Sequence, residues 1–210
     1  MGIKERRIRE KNTRIEQIID AAESVFSKGF QAATMDKIAE KAELSKGSLY
    51  SYFSSKNELC LSITLRALRI IRGYFSEILE KKIKAVDKII CLADSLADLK
   101  HEYPNYFSSL INYVHHSEEC DPDSDIFKKS IDLNKDITTI IKEIINEGKR
   151  DGSINADLDS RKTAFSLWGN FSGIIPGSFI AVRNLINYSK QDQDEIFTNS
   201  IKIIQRSLKT

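Results

Sequence analysis

Apolar residues recur along this chain at helical spacing, with no strand-like alternation and no repeat. From Ile15 they fall at Ile18, Ile19, Ala22, Val25 and Phe26, three or four apart, which predicts a helix with one buried stripe and Gly29 as its stop. Thr34 stands where it can cap a second helix, Met35 to Ala42, whose Met35, Ile38, Ala39 and Ala42 face inward. Asp36 lies in its first turn, where the helix dipole favours an anion. Glu43 and Leu44 make a tight connection. Ser45 can cap a third short helix, Lys46 to Tyr52, with Leu49 and Phe53 pointing inward. Ser55-Lys56-Asn57-Glu58 reads as a capping box, so a fourth helix starts at Lys56 and meets no stop before Glu80 to Lys84.

The same periodicity predicts helices over Val86 to Lys100 and over Pro104 to His116, with Pro104 at a first helical position. A long helix runs from about Ser124 to Arg150, stopped by Asp151-Gly152. Asp157 can cap another through Ile186, and Asp192 with Glu195 can box the last, Gln193 to Leu208. The fold class is therefore all-α, with about nine helices. Three prolines and nine glycines in 210 residues leave little material for β-turns, which agrees. The length allows either one large domain or a small one joined to a larger one.

A net charge of +2 identifies no partner, but Lys4, Arg6, Arg7, Arg9, Lys11 and Arg14 outnumber Glu5 and Glu10 in a basic N-terminal arm. Such an arm is usually solvated, and it suits a polyanion only if something nearby does too. Cys60, Cys91 and Cys120 are odd in number and widely spaced, and the N-terminus has no apolar signal-like run, so a reducing cytoplasm is the expected location. Ala164 to Val182 approaches a membrane span in length, and its glycines at 169, 173 and 177 are four apart. Ser166, Asn170, Ser172, Ser178 and Pro176 argue instead for a buried helix, and no membrane partner is expected.

Two short helices joined by a tight turn and braced by a longer helix form the helix-turn-helix pattern, in which the second helix enters the major groove of DNA. Here Ala39 lies where the two would cross and Leu44 would plug the turn. The stretch LSKGSLYSYFSSKNEL then makes chemical sense. Gly47, costly in a helix, allows close approach of the backbone to a phosphate or base edge. Ser45, Lys46 and Ser48 are aimed at the groove: Lys46 can donate to guanine O6/N7 or a phosphate, and Ser48 can pair with any base. The Tyr50 and Tyr52 hydroxyls suit sugar-phosphate contacts, although tyrosines here could equally cover the three-helix core. Thr34 and Lys56 sit at helix N-termini whose backbone N–H groups can meet further phosphates.

The run TMDKIAEKAELSKGSLYSYFSSKNEL, Thr34 to Leu59, resembles the signature of the TetR family of bacterial one-component transcription regulators, with its Ile-Ala, Leu-Ser-Lys-Gly-Ser-Leu-Tyr, Tyr-Phe and Lys-x-Glu-Leu elements in order. With the preceding helix the match covers about the first quarter of the chain. The resemblance implies a homodimer, with a three-helix DNA-binding head over residues 1–55 and a larger helical body over 56–210 for ligand binding and dimerisation. It also implies an operator of double-stranded DNA, a small-molecule effector, no cofactor, and repression as the usual sense of control. The family's DNA-contacting positions fall on Thr34, Ser45, Lys46, Gly47, Ser48, Tyr50, Tyr52 and Lys56, Tyr52 standing where many members carry histidine. The basic arm before Thr13 is placed to reach an adjacent minor groove.

An effector pocket is expected among the aromatics of YPNYFSSLINYVHH and the later apolar helix: Phe107, Leu110, Tyr113, Trp168 and Phe171, with Tyr74 from the fourth helix. The resemblance points to the last two helices for dimerisation, where the Gly169, Gly173, Gly177 face with Ile201 and Ile204 fits a four-helix contact. His115, His116 and Cys120 lack the spacing of a metal site, and in the calcium-loop-like run Asp121, Asp123, Asp125, Asp132 an isoleucine, Ile126, replaces the glycine the loop needs. No nucleophile elbow, P-loop, zincin or dinucleotide motif is present, which sets an enzyme behind a regulator. A helical protein-interaction module without DNA binding is the other competing class.

Overall fold

A computed structural model describes residues 2–116, 121–185 and 190–209, with the side chains of 111, 113–116, 173–185, 190–194 and 197 outside the description. Among the described residues every regular element is a helix: α1 (Ile3–Phe26), α2 (Met35–Lys41), α3 (Lys46–Tyr50), α4 (Lys56–Leu79), α5 (Ala85–Glu102), α6 (Pro104–His116), α7 (Asp125–Asp151), α8 (Ser160–Leu185) and α9 (Lys190–Leu208). Packing divides them into two units. One contains residues 1–68 and 103–131, the other 69–102 and 132–210.

In the first unit α1, α2, α3 and the start of α4 surround one core. Ile18 and Ala22 of α1, Ile38 of α2, Leu49 of α3 and Leu59 of α4 are wholly buried there. Phe26 and Phe30 meet edge to face at 5.1 Å across the end of α1. The strand-free connection after α1 turns at Gly29, whose φ of 114° is open to glycine and costly for other residues. α6 returns to this unit: the Ser109 carbonyl accepts from the Thr64 hydroxyl at 3.1 Å, and Asn105 donates to Glu23 at 3.3 Å. Arg66 of α4 binds α1 through Glu16 and Asp20, the latter at 2.6 Å. Burial there works against its charge, yet those two carboxylates hold the guanidinium firmly protonated. Beside them burial, and then the Glu23 charge, push the Tyr106 hydroxyl pKa upward.

The second unit packs the end of α4 with α5, α7, α8 and α9. Ile137, Ile141 and Ile144 of α7, Leu92 and Leu99 of α5 and Phe171 of α8 are wholly buried. Its helix ends are tied by polar side chains. The buried Lys88 ammonium donates to the last carbonyl of α4, Leu79, at 2.6 Å and to both Glu147 oxygens at 2.8 and 2.9 Å. Asp151, at the end of α7, accepts from the Ala85 N–H that opens α5 at 3.0 Å.

Several boundaries differ from the sequence expectation. α1 extends back to Ile3 through the basic arm, begun by the Gly2 N–H donating to Glu5 and supported by the Arg6–Glu10 pair at 2.8 Å. α3 stops at Tyr50 because the chain tightens at its end: the Tyr52 and Phe53 N–H groups both turn back to the Leu49 carbonyl, which buries Phe53. Tyr52 therefore lies in the turn after the helix. The cap of α8 is Asp159, whose carboxylate accepts from the Lys162 N–H at 2.8 Å; Asp157 instead donates its N–H to Asn155, so the helix begins three residues after it. α9 starts at Lys190, ahead of Gln193. No helix among the described residues is long and apolar enough to cross a membrane.

Candidate nucleic-acid interface

The helix-turn-helix is assembled by local bonds that the sequence spells out. Thr34 caps α2, its hydroxyl oxygen accepting from the Lys37 N–H at 3.3 Å. After α2 the Leu44 N–H closes on the Ala39 carbonyl at 2.9 Å. Ala39 is buried there and Leu44 packs half-buried on the head's core, as crossing and plug require. The turn is made by Glu43 at φ 55°, a left-handed backbone more often given to glycine or asparagine. Ser45 then caps α3, accepting from the Ser48 N–H at 3.1 Å.

Leu49 anchors α3 with no exposed surface, and everything opposite it faces solvent. Lys46, Gly47 and Tyr50 are exposed, Tyr50 at 46%, while Ser48 is half-buried with its hydroxyl 2.8 Å from that of Ser45. A Cβ built on Gly47 would meet nothing within 4 Å, so no neighbour inside the protein demands glycine there. Lys46 is held by Asp36 of α2 at 2.8 Å, and that hydrogen bond, with the Asp36 charge, raises the ammonium pKa further. The pair is exposed, so a phosphate or base edge can take over the ammonium at small cost.

The remaining expected contacts divide. Thr34 is exposed at its helix end. Tyr52 is half-buried and packs on the core cluster, so its ring is structural even where its hydroxyl is reachable. The Lys56 ammonium turns inward, donating to the Phe30 and Ala33 carbonyls at 3.1 and 3.3 Å and sitting 4.3 Å above the Phe30 ring. Only its backbone at the start of α4 remains to offer outward. That N-terminus is well made: Ser55 accepts from the Glu58 N–H at 3.1 Å, and Glu58 reaches back to the Ser54 N–H and hydroxyl, one residue earlier than a simple box predicts. The Asp36 tether on Lys46 and the inward turn of Lys56 escaped the sequence reading, since each joins residues ten or more positions apart.

The residues expected to line an effector pocket are not all in one unit. Phe107, buried, and Leu110, half-buried, belong to the first; the Tyr113 side chain lies outside the described residues. Tyr74, Trp168 and Phe171 belong to the second. There Phe171 is wholly buried, the Trp168 indole N–H donates to Asn134 at 2.8 Å, and its ring meets Phe75 edge-on at 6.1 Å. Tyr74 donates to Glu102 at 2.9 Å on an open hollow shared with Asp94 and Asp98, where burial and then the Asp98 charge raise the Asp94 pKa. Among the described residues no group of three or more His, Cys, Asp or Glu is placed to hold a metal. His115, His116 and Cys120 lie outside the described side chains.

A short capped helix on an apolar anchor, presenting a lysine, a glycine and a tyrosine to solvent after a left-handed turn, defines a helix-turn-helix DNA-binding protein. Residues 18–63 match the family described as "Bacterial regulatory proteins, tetR family". The chain is 26% identical over 170 residues to the fatty acid metabolism regulator protein of Bacillus subtilis (strain 168), spanning 77% of this chain and 81% of that one. It is 26% identical over 151 residues to the HTH-type transcriptional repressor KstR2 of Mycolicibacterium smegmatis, 70% of each. In fold it resembles the transcriptional regulator FadR from Bacillus subtilis solved in complex with stearoyl-CoA, with a TM-score of 0.66 at 21% identity over 90% of this chain and 97% of that one. Residues 18–63 are thus a TetR-family DNA-binding head, and the chain is a DNA-binding transcriptional regulator.

Proposed function

We propose that this regulator binds a two-fold symmetric operator as a homodimer, represses from it, and releases it when a small molecule occupies residues 56–210. The observation that carries the reading is the solvent face of α3, where Gly47 has open space and Lys46 and Tyr50 are exposed on a helix whose single buried anchor is Leu49. We assign base contacts to Lys46 and Ser48, close backbone approach to Gly47, and phosphate contacts to Tyr50, Thr34, Ser45 and the backbone at Lys56, with Tyr52 bracing α3 from behind.

Two reading helices must meet major grooves about 34–36 Å apart or a multiple of it, so a dimer sets the operator's symmetry. We assign the dimer contact to α8 and α9, where Phe165, Gly169 and Ile203 are exposed. Ile201 is buried within its own unit and Ile204 is half-buried, so Ile203 takes the part first given to Ile201; Gly173 and Gly177 lie outside the described surroundings. α4 runs unbroken from Lys56, beside the reading helix in sequence, to Leu79, and so supplies a continuous element through which effector contacts can bias the head. Moving a population from mostly bound-competent to mostly incompetent takes roughly 10⁴-fold preference for one state. Long-chain acyl thioesters are the first effector class to try, given the stearoyl-CoA bound by the similar FadR of Bacillus subtilis and the fatty-acid role of the similar regulator from that organism.

The test is selection of fragments from the source genome on the full-length chain, followed by competition with acyl-CoA esters and their free acids. Enrichment of a palindromic site, released by one of these ligand classes, supports the reading. Equal retention of all fragments refutes it.

A further inference from the structure

We propose that the N-terminal overhang of α1, from Ile3 to Arg14, grips the sugar-phosphate backbone of duplex DNA flanking the bases read by α3. The proposal rests on the assignment of α3 as the reading helix. Lys4, Arg7, Lys11 and Arg14 are spaced alternately three and four apart, so they lie along one helix face. Continued toward the C-terminus, that series runs on through Ile18, Ala22 and Val25, the stripe with which α1 covers the head's core. One face of one helix therefore changes from basic to apolar at about Ile15, where the protein beneath it begins. N-terminal of that point residues 2–13 are exposed all round. A face that meets hydrocarbon where protein is present and carries spaced cations where it is absent is complementary to an anionic surface continuous with the head's own.

The location agrees. Arg7, Lys11 and Arg14 line one side of an open groove whose other side is Ser51 and Tyr52, the residues that follow α3. Glu10 on its rim is held by Arg6 at 2.8 Å. Among the described residues Arg7, Lys11 and Arg14 enter no ion pair or side-chain hydrogen bond, so their charge is uncommitted. The expected minor-groove arm does not suit a helix: with side chains it measures about 10–12 Å across, against a minor groove about 6 Å wide. A helical overhang fits along the phosphate ridge instead, which fixes position and adds affinity without reading sequence.

The probe is the enriched operator duplex, and the readout is the dependence of affinity on salt, measured by fluorescence anisotropy with the full-length chain. Arg7→Gln, Lys11→Gln and Arg14→Gln combined should make the slope of log K against log salt shallower by about 2 to 3 for each bound protomer, at about 0.9 per phosphate contact. Preference for operator over a scrambled duplex of equal length should not change. Arg6→Gln removes the same charge as Lys11→Gln from another side of the helix, and should alter the slope less. Trimming base pairs outside the half-sites should weaken the wild type and leave the triple variant nearly unaffected. An unchanged slope in the triple variant, or equal effects of Arg6→Gln and Lys11→Gln, overturns the proposal. If Tyr50→Ala abolishes operator retention while the triple variant keeps the wild-type slope, only the overhang is refuted. If Tyr50→Ala binds as the wild type does, the assignment of α3 falls and takes the overhang with it.

Discussion

Gly47 offers a perturbation whose two effects have opposite signs. It occupies the first turn of α3, and an added Cβ would meet nothing within 4 Å. Inside the protein, alanine is then only a better helix former, and Gly47→Ala should stabilise the fold by about 0.5 to 1 kcal/mol. For a chain of this size that is a rise in melting temperature of about 1 to 4 °C. Gly47→Val, being β-branched, keeps less than half of that gain and should leave stability near the wild-type value. On DNA the order reverses, because a side chain now stands where backbone must approach phosphate or base. Losing one good contact is equivalent to about 1 to 3 kcal/mol, or about 5- to 150-fold in affinity, with valine worse than alanine. Calorimetry on the free protein and anisotropy on the operator measure the two effects separately. A Gly47→Val protein that melts like the wild type yet loses the operator confirms that the glycine serves an external partner. The reasoning fails if that variant binds normally, or if it unfolds well below the wild type.

Three further outcomes follow from packing and charge. Glu43→Gly should relieve about 1 to 2 kcal/mol of left-handed backbone cost, offset by about 0.5 to 1 kcal/mol of extra freedom in the unfolded chain, so its urea midpoint should rise; a fall would contradict the strain at φ 55°. Lys88→Met should destabilise by about 2 to 4 kcal/mol, because it strands Glu147 and the Leu79 carbonyl, and adding Glu147→Leu should recover more than half of the loss. A single variant as stable as the wild type would show the pairing of buried Lys88 with half-buried Glu147 to be idle. Burial opposes the Asp151 charge, but hydrogen bonds from Ser153 and from the Ala85 N–H outweigh it and hold the carboxyl below its ordinary value. Its stabilising effect is then complete above about pH 3.9 and lost as pH falls through the lower folded-state value. The melting difference between the wild type and Asp151→Asn should therefore be largest near neutrality and shrink in acid; a difference that grows in acid would contradict the assignment.

What could be read before the structure was whatever local chemistry decides. Thr34, Ser45 and Ser55 are caps because their side chains satisfy N–H groups three residues on, and the buried Ile18, Ile38, Leu49 and Phe53 follow from spacing alone. What needed the third dimension was any partner remote in sequence. Asp36 on Lys46, Phe30 and Ala33 on Lys56, Glu147 on Lys88 and the return of α6 to the head leave no periodic trace. The length of α1 was hidden for a different reason: before Ile15 its stripe is basic, and a search for apolar periodicity passes over it. Tyr52 shows the limit of a motif, since its ring packs on the core while its neighbour Tyr50 faces solvent.

The central claim is that α3 reads the major groove, and methylation interference on the enriched operator tests it most directly. Guanine N7 opens to the major groove and adenine N3 to the minor, so the two modifications report separate faces of the duplex. The account predicts that N7 methylation within each half-site blocks binding, and that Lys46→Ala weakens binding and loses sensitivity to one of those guanines. Interference arising only from adenine N3, or none at either position on a duplex the protein still retains, would contradict it.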